Sequence, residues 1–170
     1  MKTFKISLSI LDWILEFFAL LSILSVIVLF VFFWIEAPKI VPVHYNIYGV
    51  ADRFGSKVTL IIIPIISIVS YLGLTFLNRF PYIFNFPVKV SEQNRTILYK
   101  TATTMIRWIK LFICLLFTVI LLQTVGNIQN YEYKLDNNYL FILIGCLFCC
   151  LIFYIIKMTK IGSRSLPSHF

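Results

Sequence analysis

The sequence predicts an all-α integral membrane protein: four transmembrane helices, with an amphipathic cytoplasmic helical extension before the third. Three observations predict it. Hydrophobic residues are 60% of the 170 and aromatic residues 17%, and the mean hydropathy of +0.92 lies beyond the range of soluble domains. Four apolar runs, about 14–35, 58–77, 108–125 and 139–156, approach the ~20 residues that a helix needs to cross hydrocarbon. The basic residues behind the net charge of +8 cluster beside these runs, where anionic headgroups and membrane orientation account for them. No basic platform stands clear of the membrane, so the expected partner is the lipid bilayer and not nucleic acid. The whole chain, 1–170, reads as one membrane domain.

The first run follows Lys2 and Lys5 and is bracketed by Trp13 and Trp34, indole rings suited to the two headgroup levels. It ends in Phe32, Phe33, Trp34, Ile35 and Glu36 rather than in small residues at a cut site, which is the pattern of a signal anchor. Asp12 and Glu16 lie one helical turn apart at its start. Two readings of them stand: a solvated helix start favoured by the helix dipole, or Glu16 set slightly inside the interface as a cytoplasmic ion pair with Arg107 or Lys110 at the same depth.

The second run begins after Ser56, a plausible N-cap, and is interrupted by Pro64, which predicts a kink and close packing there. Ser67, Ser70 and Gly73 form a small-residue stripe of the kind that lets helices approach closely. Between Asn78 and Ser91 the chain is aromatic and carries Pro81 and Pro87, an ordered turn against the headgroups. Ser91 then caps a new helix with Glu92 in its first turn. Along that helix Leu98, Ala102, Met105, Ile106 and Ile109 recur at helical spacing, with Arg95, Lys100, Arg107 and Lys110 on other faces. The third run continues from it, a short polar connection follows, and the fourth run ends in Lys157, Lys160 and Arg164.

Under this topology the termini and the 78–110 segment share a side with eleven Lys and Arg, against four on the other side. Both termini are expected in the cytoplasm, at the cytoplasmic or inner membrane. The four cysteines all fall in apolar runs and read as small buried hydrophobes, Cys146 and Cys149 included despite their C-x-x-C spacing.

The segment from Pro38 to Lys57 is the polar exception, a proline-fenced loop on the outward side. His44, Asn46, Asp52, Arg53 and Lys57 supply donors, acceptors and both signs of charge, and are the candidate ligand-binding residues. Pro38, Pro42, Gly49 and Gly55, with Pro64 beyond, shape the backbone around them. The loop either binds an extracytoplasmic peptide or small ligand, or seals the bundle, with Asp52 paired to Arg53 and His44 capping a helix end. No metal site is expected, since the other histidine, His169, lies near the far terminus. No paired carboxylates, Ser-Lys couple or histidine cluster falls within the spans, so neither enzyme activity nor a cofactor is expected. Ion-coupled transport is disfavoured because no ionisable side chain is read deep in a span.

Taken together, Pro38, Pro42, Val43, His44, Tyr45, Asn46, Gly49, Asp52, Arg53, Gly55, Ser56 and Lys57 between two spans form an unusual constellation. With the Phe84, Asn85, Phe86, Pro87 turn, it resembles the bacterial membrane domain of unknown function 1648 family over about 26–125. That domain stands at the N-terminus of SdpI-type toxin immunity and signalling proteins. The resemblance implies an extracytoplasmic binding, sensing or immunity module, whose partner would be a peptide or a membrane protein. A small transporter component and a structural subunit of a larger complex are the alternatives.

Overall fold

The computed structural model describes residues 7–46, 48, 50–128 and 138–164. Gly49, the Tyr131 connection and His169 lie outside the described residues.

Helix α1 (Ile10–Glu36) starts on a capping box: Asp12 N donates to Ser9 Oγ at 3.2 Å, and Ser9 N donates to Asp12 Oδ2 at 2.8 Å. Two N–H groups that a helix start leaves orphaned are thereby satisfied. The helix stops at Ala37, which is extended (φ −62°, ψ 130°), because the ring of Pro38 disfavours the α conformation in the residue before it.

What the sequence presents as a polar loop is a β-hairpin, a small exception in an otherwise helical architecture. Strand β1 (Ile40–Tyr45) pairs antiparallel with β2 (Ala51–Ser56) in the register Ile40↔Ser56, Val41↔Gly55, Pro42↔Phe54, His44↔Arg53 and Tyr45↔Ala51. Pairing is irregular on either side of His44. Pro42 is tolerated because each strand of a two-stranded ribbon is an edge, so its missing N–H can face away from the partner. Gly55 is close-packed, since a Cβ there would lie 3.1 Å from Val43 Cγ1.

A 3-10 turn (Lys57–Ile61), in which Val58 N donates to Ser56 Oγ and Lys57 N to Lys39 O, leads into α2 (Ile62–Leu77). Pro64 falls in the first turn of α2, where its missing N–H costs no helical bond; it is buried, as close packing there requires, and the irregularity is the 3-10 turn ahead of it. The small-residue stripe also behaves differently from expectation. Ser67 is buried, its hydroxyl donating to Ile63 O at 2.7 Å, whereas nothing lies within 4 Å of a Cβ placed on Gly73. Residues spaced by three drift about 60° round the helix at each step, so the stripe turns away from the bundle before it reaches Gly73.

Ser91 does cap α3 (Arg95–Ile128), through reciprocal bonds with Asn94 rather than through Glu92. The amphipathic extension and the third span form this one helix of 34 residues, about 51 Å long. Helix α3 packs against α1, α2 and α4 (Asn138–Arg164), and β1 also lies against it. Three apolar clusters follow its length. Phe33, Ala37, Val41 and Leu60 pack beside Val125 and Ile128 at the hairpin end. Leu15, Ala19 and Leu111 pack further along, and Leu98, Ala102 and Met158 pack with Phe84, Phe86 and Val88 at the far end.

Helices α1, α3 and α4, and α2 counted with its 3-10 lead, are each long and apolar enough to cross a membrane. Large apolar side chains such as Phe17, Phe32, Val69, Phe148 and Phe153 point outward along them, which is stable only where the surroundings are lipid. This is a multi-pass membrane protein.

At the far end the turn after α2 crosses α4 so closely that a Cβ on Gly162 would sit 2.6 Å from Val88 Cβ. Helix propensity alone would favour Gly162→Ala by about 1 kcal/mol. The crossing reverses the sign: a net loss of about 1–3 kcal/mol is expected, read as a lower thermal unfolding midpoint in detergent. A midpoint equal to the parent's would mean that the crossing is loose.

Candidate functional site

Two polar constellations stand out, one at each end of the bundle. The first joins α1 to α3. Asp12 Oδ1 accepts from Thr104 Oγ1 at 2.7 Å and from Arg107 Nη1 at 3.3 Å. Glu16 Oε1 accepts from Arg107 Nε at 3.1 Å, and its other oxygen accepts from Lys110 Nζ. Lys110 also donates to Thr75 Oγ1 at 3.0 Å, and its ammonium sits 4.9 Å from the centre of the Tyr71 ring, so α2 is drawn in.

The spacing explains the arrangement. Acids four apart on α1 and cations three apart on α3 each lie on one helix face, so two carboxylates meet two cations with no net charge. The Asp12 side chain is 1% exposed, Lys110 0%, Arg107 9% and Glu16 26%. A solvated carboxylate is therefore not what the α1 start has; Asp12 is buried against α3, while Ile10, Leu11 and Trp13 of the same turn stay exposed. Arg107 and Lys110 likewise face the bundle, not the headgroups.

Depth limits what this cluster can do. The rise of α3 from Lys110 to Ile128 is about 27 Å, and that of α1 from Glu16 to Glu36 about 30 Å. These distances match the ~30 Å hydrocarbon thickness. The cluster thus lies at the boundary opposite the hairpin, away from the midplane where carriers place their ion sites. With every charge partnered, its chemistry is cohesion.

The second constellation is the hairpin. His44 Nδ1 lies 2.6 Å from Asp52 Oδ1, with the two side chains 57% and 44% exposed. Arg53, opposite His44 in the register, is also exposed. Asp52 pairs with His44 and not with its strand neighbour Arg53; regular alternation would set Asp52 on the face away from His44, and the irregular pairing on either side of His44 lets the two meet. The remaining candidates serve the fold. Asn46 Oδ1 accepts from Tyr48 N at 2.9 Å and Val50 N at 3.0 Å, closing the turn. Lys57 Nζ donates to Trp34 O and Ala37 O, both at 3.4 Å, and lies 4.9 Å from the centre of the Trp34 ring. Its cation complements the negative end of the α1 dipole. Beneath the hairpin, Tyr45 lines two cavities. One of about 420 Å³ involves Pro42, Leu60 and Thr124, and one of about 310 Å³ involves Gln123, Phe141 and Ile144.

Among the described residues no group of three or more His, Cys, Asp and Glu could hold a metal ion. Cys146 and Cys149 are free thiols on the outer face of α4, so only Cys114 has the buried position expected of all four. Sequence reasoning placed Asp12 at the helix start without its partners, and missed Thr104, Thr75 and Tyr71. The Ser9 to Asp12 capping spacing was the available signal, and it marks a helix start without revealing what covers it.

A family model for a domain of unknown function matches residues 20–68, which take in most of α1, the whole hairpin and the first turns of α2. That model is DUF1648, and its match is confined to these residues. The matched segment centres on the hairpin and leaves out the ion cluster. Among curated proteins, an uncharacterized protein of Archaeoglobus fulgidus is 35% identical over 75 residues, a match spanning 36% of this chain and 41% of that relative. No solved structure matches the chain.

Breaking one member of the cluster leaves a buried charge unbalanced. Lys110→Met is expected to cost about 3–5 kcal/mol, measured by unfolding in detergent, and Glu16→Gln in the same chain to recover most of it. A loss below about 1 kcal/mol for the single variant would rank the cluster with exposed surface pairs.

Proposed function

We propose that this protein is a binding or sensing module of the cell membrane, SdpI-like in type, with the β-hairpin as its extracytoplasmic recognition element. Toxin immunity is the form of that role we favour. The carrying observation is the division of labour within the hairpin. Asn46 and Lys57 fix its turn and its root, while His44, Asp52 and Arg53 stay exposed at defined positions. A rigid root lowers the ordering cost of binding, which is what a recognition surface needs.

The exposed hydrophobics Tyr48, Val50 and Phe54 flank these polar groups. Apolar and charged side chains beside an open strand edge suit an extended peptide, through strand addition with pockets for alternate side chains. A membrane protein partner would use the same surface. The reading is non-enzymatic. The orientation, with both termini cytoplasmic, is supported by charge. The hairpin end carries Lys39, Arg53 and Lys57, whereas the opposite end carries Arg79, Lys89, Arg95, Lys100, Lys157, Lys160 and Arg164.

In cells challenged with a secreted peptide toxin, His44→Ala and Arg53→Ala are each expected to reduce protection about tenfold, the loss of one good hydrogen bond, at unchanged membrane abundance. A parallel fall in abundance would instead assign the hairpin a sealing role. Separately, a cysteine introduced as His44→Cys is expected to react with a membrane-impermeant maleimide in intact cells. Labelling only after lysis would invert the orientation.

A further inference from the structure

The C-terminal turns of α4 carry charge that no acidic side chain among the described residues neutralises, the one contact there being that of Lys157 Nζ with the Tyr154 ring, 5.6 Å from its centre. Lys157, Lys160 and Arg164 are exposed, and none takes part in an ion pair among the described residues. Neither α3 nor α4 contains an Asp or Glu, and Glu92, ahead of α3, has Arg95 as its ion-pair partner at 3.9 Å. The contrast with Arg107 and Lys110, both buried and paired, is complete.

These cations line a groove. Together with Phe153 and Ile156 of α4 and Ile97 of α3, they enclose a space of about 440 Å³. Phe153, Lys157, Lys160 and Arg164 are spaced four, three and four residues apart, so they form one stripe along α4. The stripe is apolar toward the bilayer and cationic away from it. Lys157 lies about 28 Å along α4 from Asn138, close to the ~30 Å thickness of the hydrocarbon. Lys160 and Arg164 then lie about 4 to 11 Å beyond it, within the headgroup layer.

We propose that this groove is a binding site for an anionic phospholipid. Its phosphate sits among Lys157, Lys160 and Arg164, and an acyl chain runs along Ile156 and Phe153 toward the bilayer interior. Charge complementarity selects the occupant. Three unneutralised cations favour an anionic headgroup, and the apolar continuation of the same stripe requires a chain attached to it. The site is independent of whatever the hairpin recognises.

The test uses the full chain in non-ionic detergent with equal amounts of phosphatidylglycerol and phosphatidylcholine, and counts retained lipids by native mass spectrometry. One phosphatidylglycerol per chain is expected, preferred by on the order of a hundredfold, each cation contributing about fivefold. The combined variant Lys157→Gln, Lys160→Gln, Arg164→Gln is expected to bring the preference near parity. Lys160→Gln alone should lower it about fivefold. The control Arg79→Gln, Lys89→Gln, Lys100→Gln removes as many exposed charges from the same end and should leave it unchanged. Three results overturn the proposal. They are an unchanged preference in both α4 variants, an equal loss in the control, and displacement of the lipid by millimolar glycerol phosphate, which would mark a site for phosphate without a chain.

Discussion

The bundle depends on the meeting of Asp12 and Glu16 with Arg107 and Lys110. Hydrophobic attraction contributes little between helices immersed in lipid, because an apolar side chain is as well solvated by acyl chains as by another helix. What holds α1 to α3 must therefore be contacts that lipid cannot replace. Thr104 and Thr75 complete the set, so that α2 joins through Thr75 as well as through apolar packing with α3 and α1. Helix α4 has no share in the cluster and packs mainly on α3, which fits its more lipid-exposed surface.

At the other end, polar contacts do a different task. Lys57 reaches back to the last carbonyls of α1, and Val41 is buried with Phe33 and Leu60. The hairpin is thereby held to two helices while Tyr48, Val50 and the His44–Asp52 pair remain exposed. The DUF1648 segment, 20–68, contains this whole unit and excludes both cations of the ion cluster. Within this chain the matched segment thus takes in the hairpin and its roots, and the ion cluster lies outside it.

Much of this was readable in advance, and the failures have physical reasons. Four spans follow from run length and hydropathy alone. Depth along the runs sets Glu16, Arg107 and Lys110 at one level, but it says nothing of Asp12, because carboxylates at a helix start are usually solvated. Burial of that start is a tertiary event. Pro42 and the polar content argued for an irregular loop, whereas a two-stranded ribbon accepts both. Pro64 marked an irregularity correctly in kind but one turn out of place. The Gly73 stripe failed because spacing by threes follows a helix face only briefly. Of the five loop residues singled out, Asn46 and Lys57 proved to be bonded to backbone, a role that residue type cannot distinguish from ligand contact.

The sequence separation of the cluster has a consequence for biogenesis. Asp12 and Glu16 meet partners 91 to 95 positions later in the chain, so α1 leaves the ribosome long before its counter-charges exist. During that interval its carboxylates must rest among headgroups and water, and a position at the bilayer surface rather than its centre is what lets the nascent helix wait there. Completion of the assembly then falls to the arrival of α3, which fixes the order in which the pieces dock.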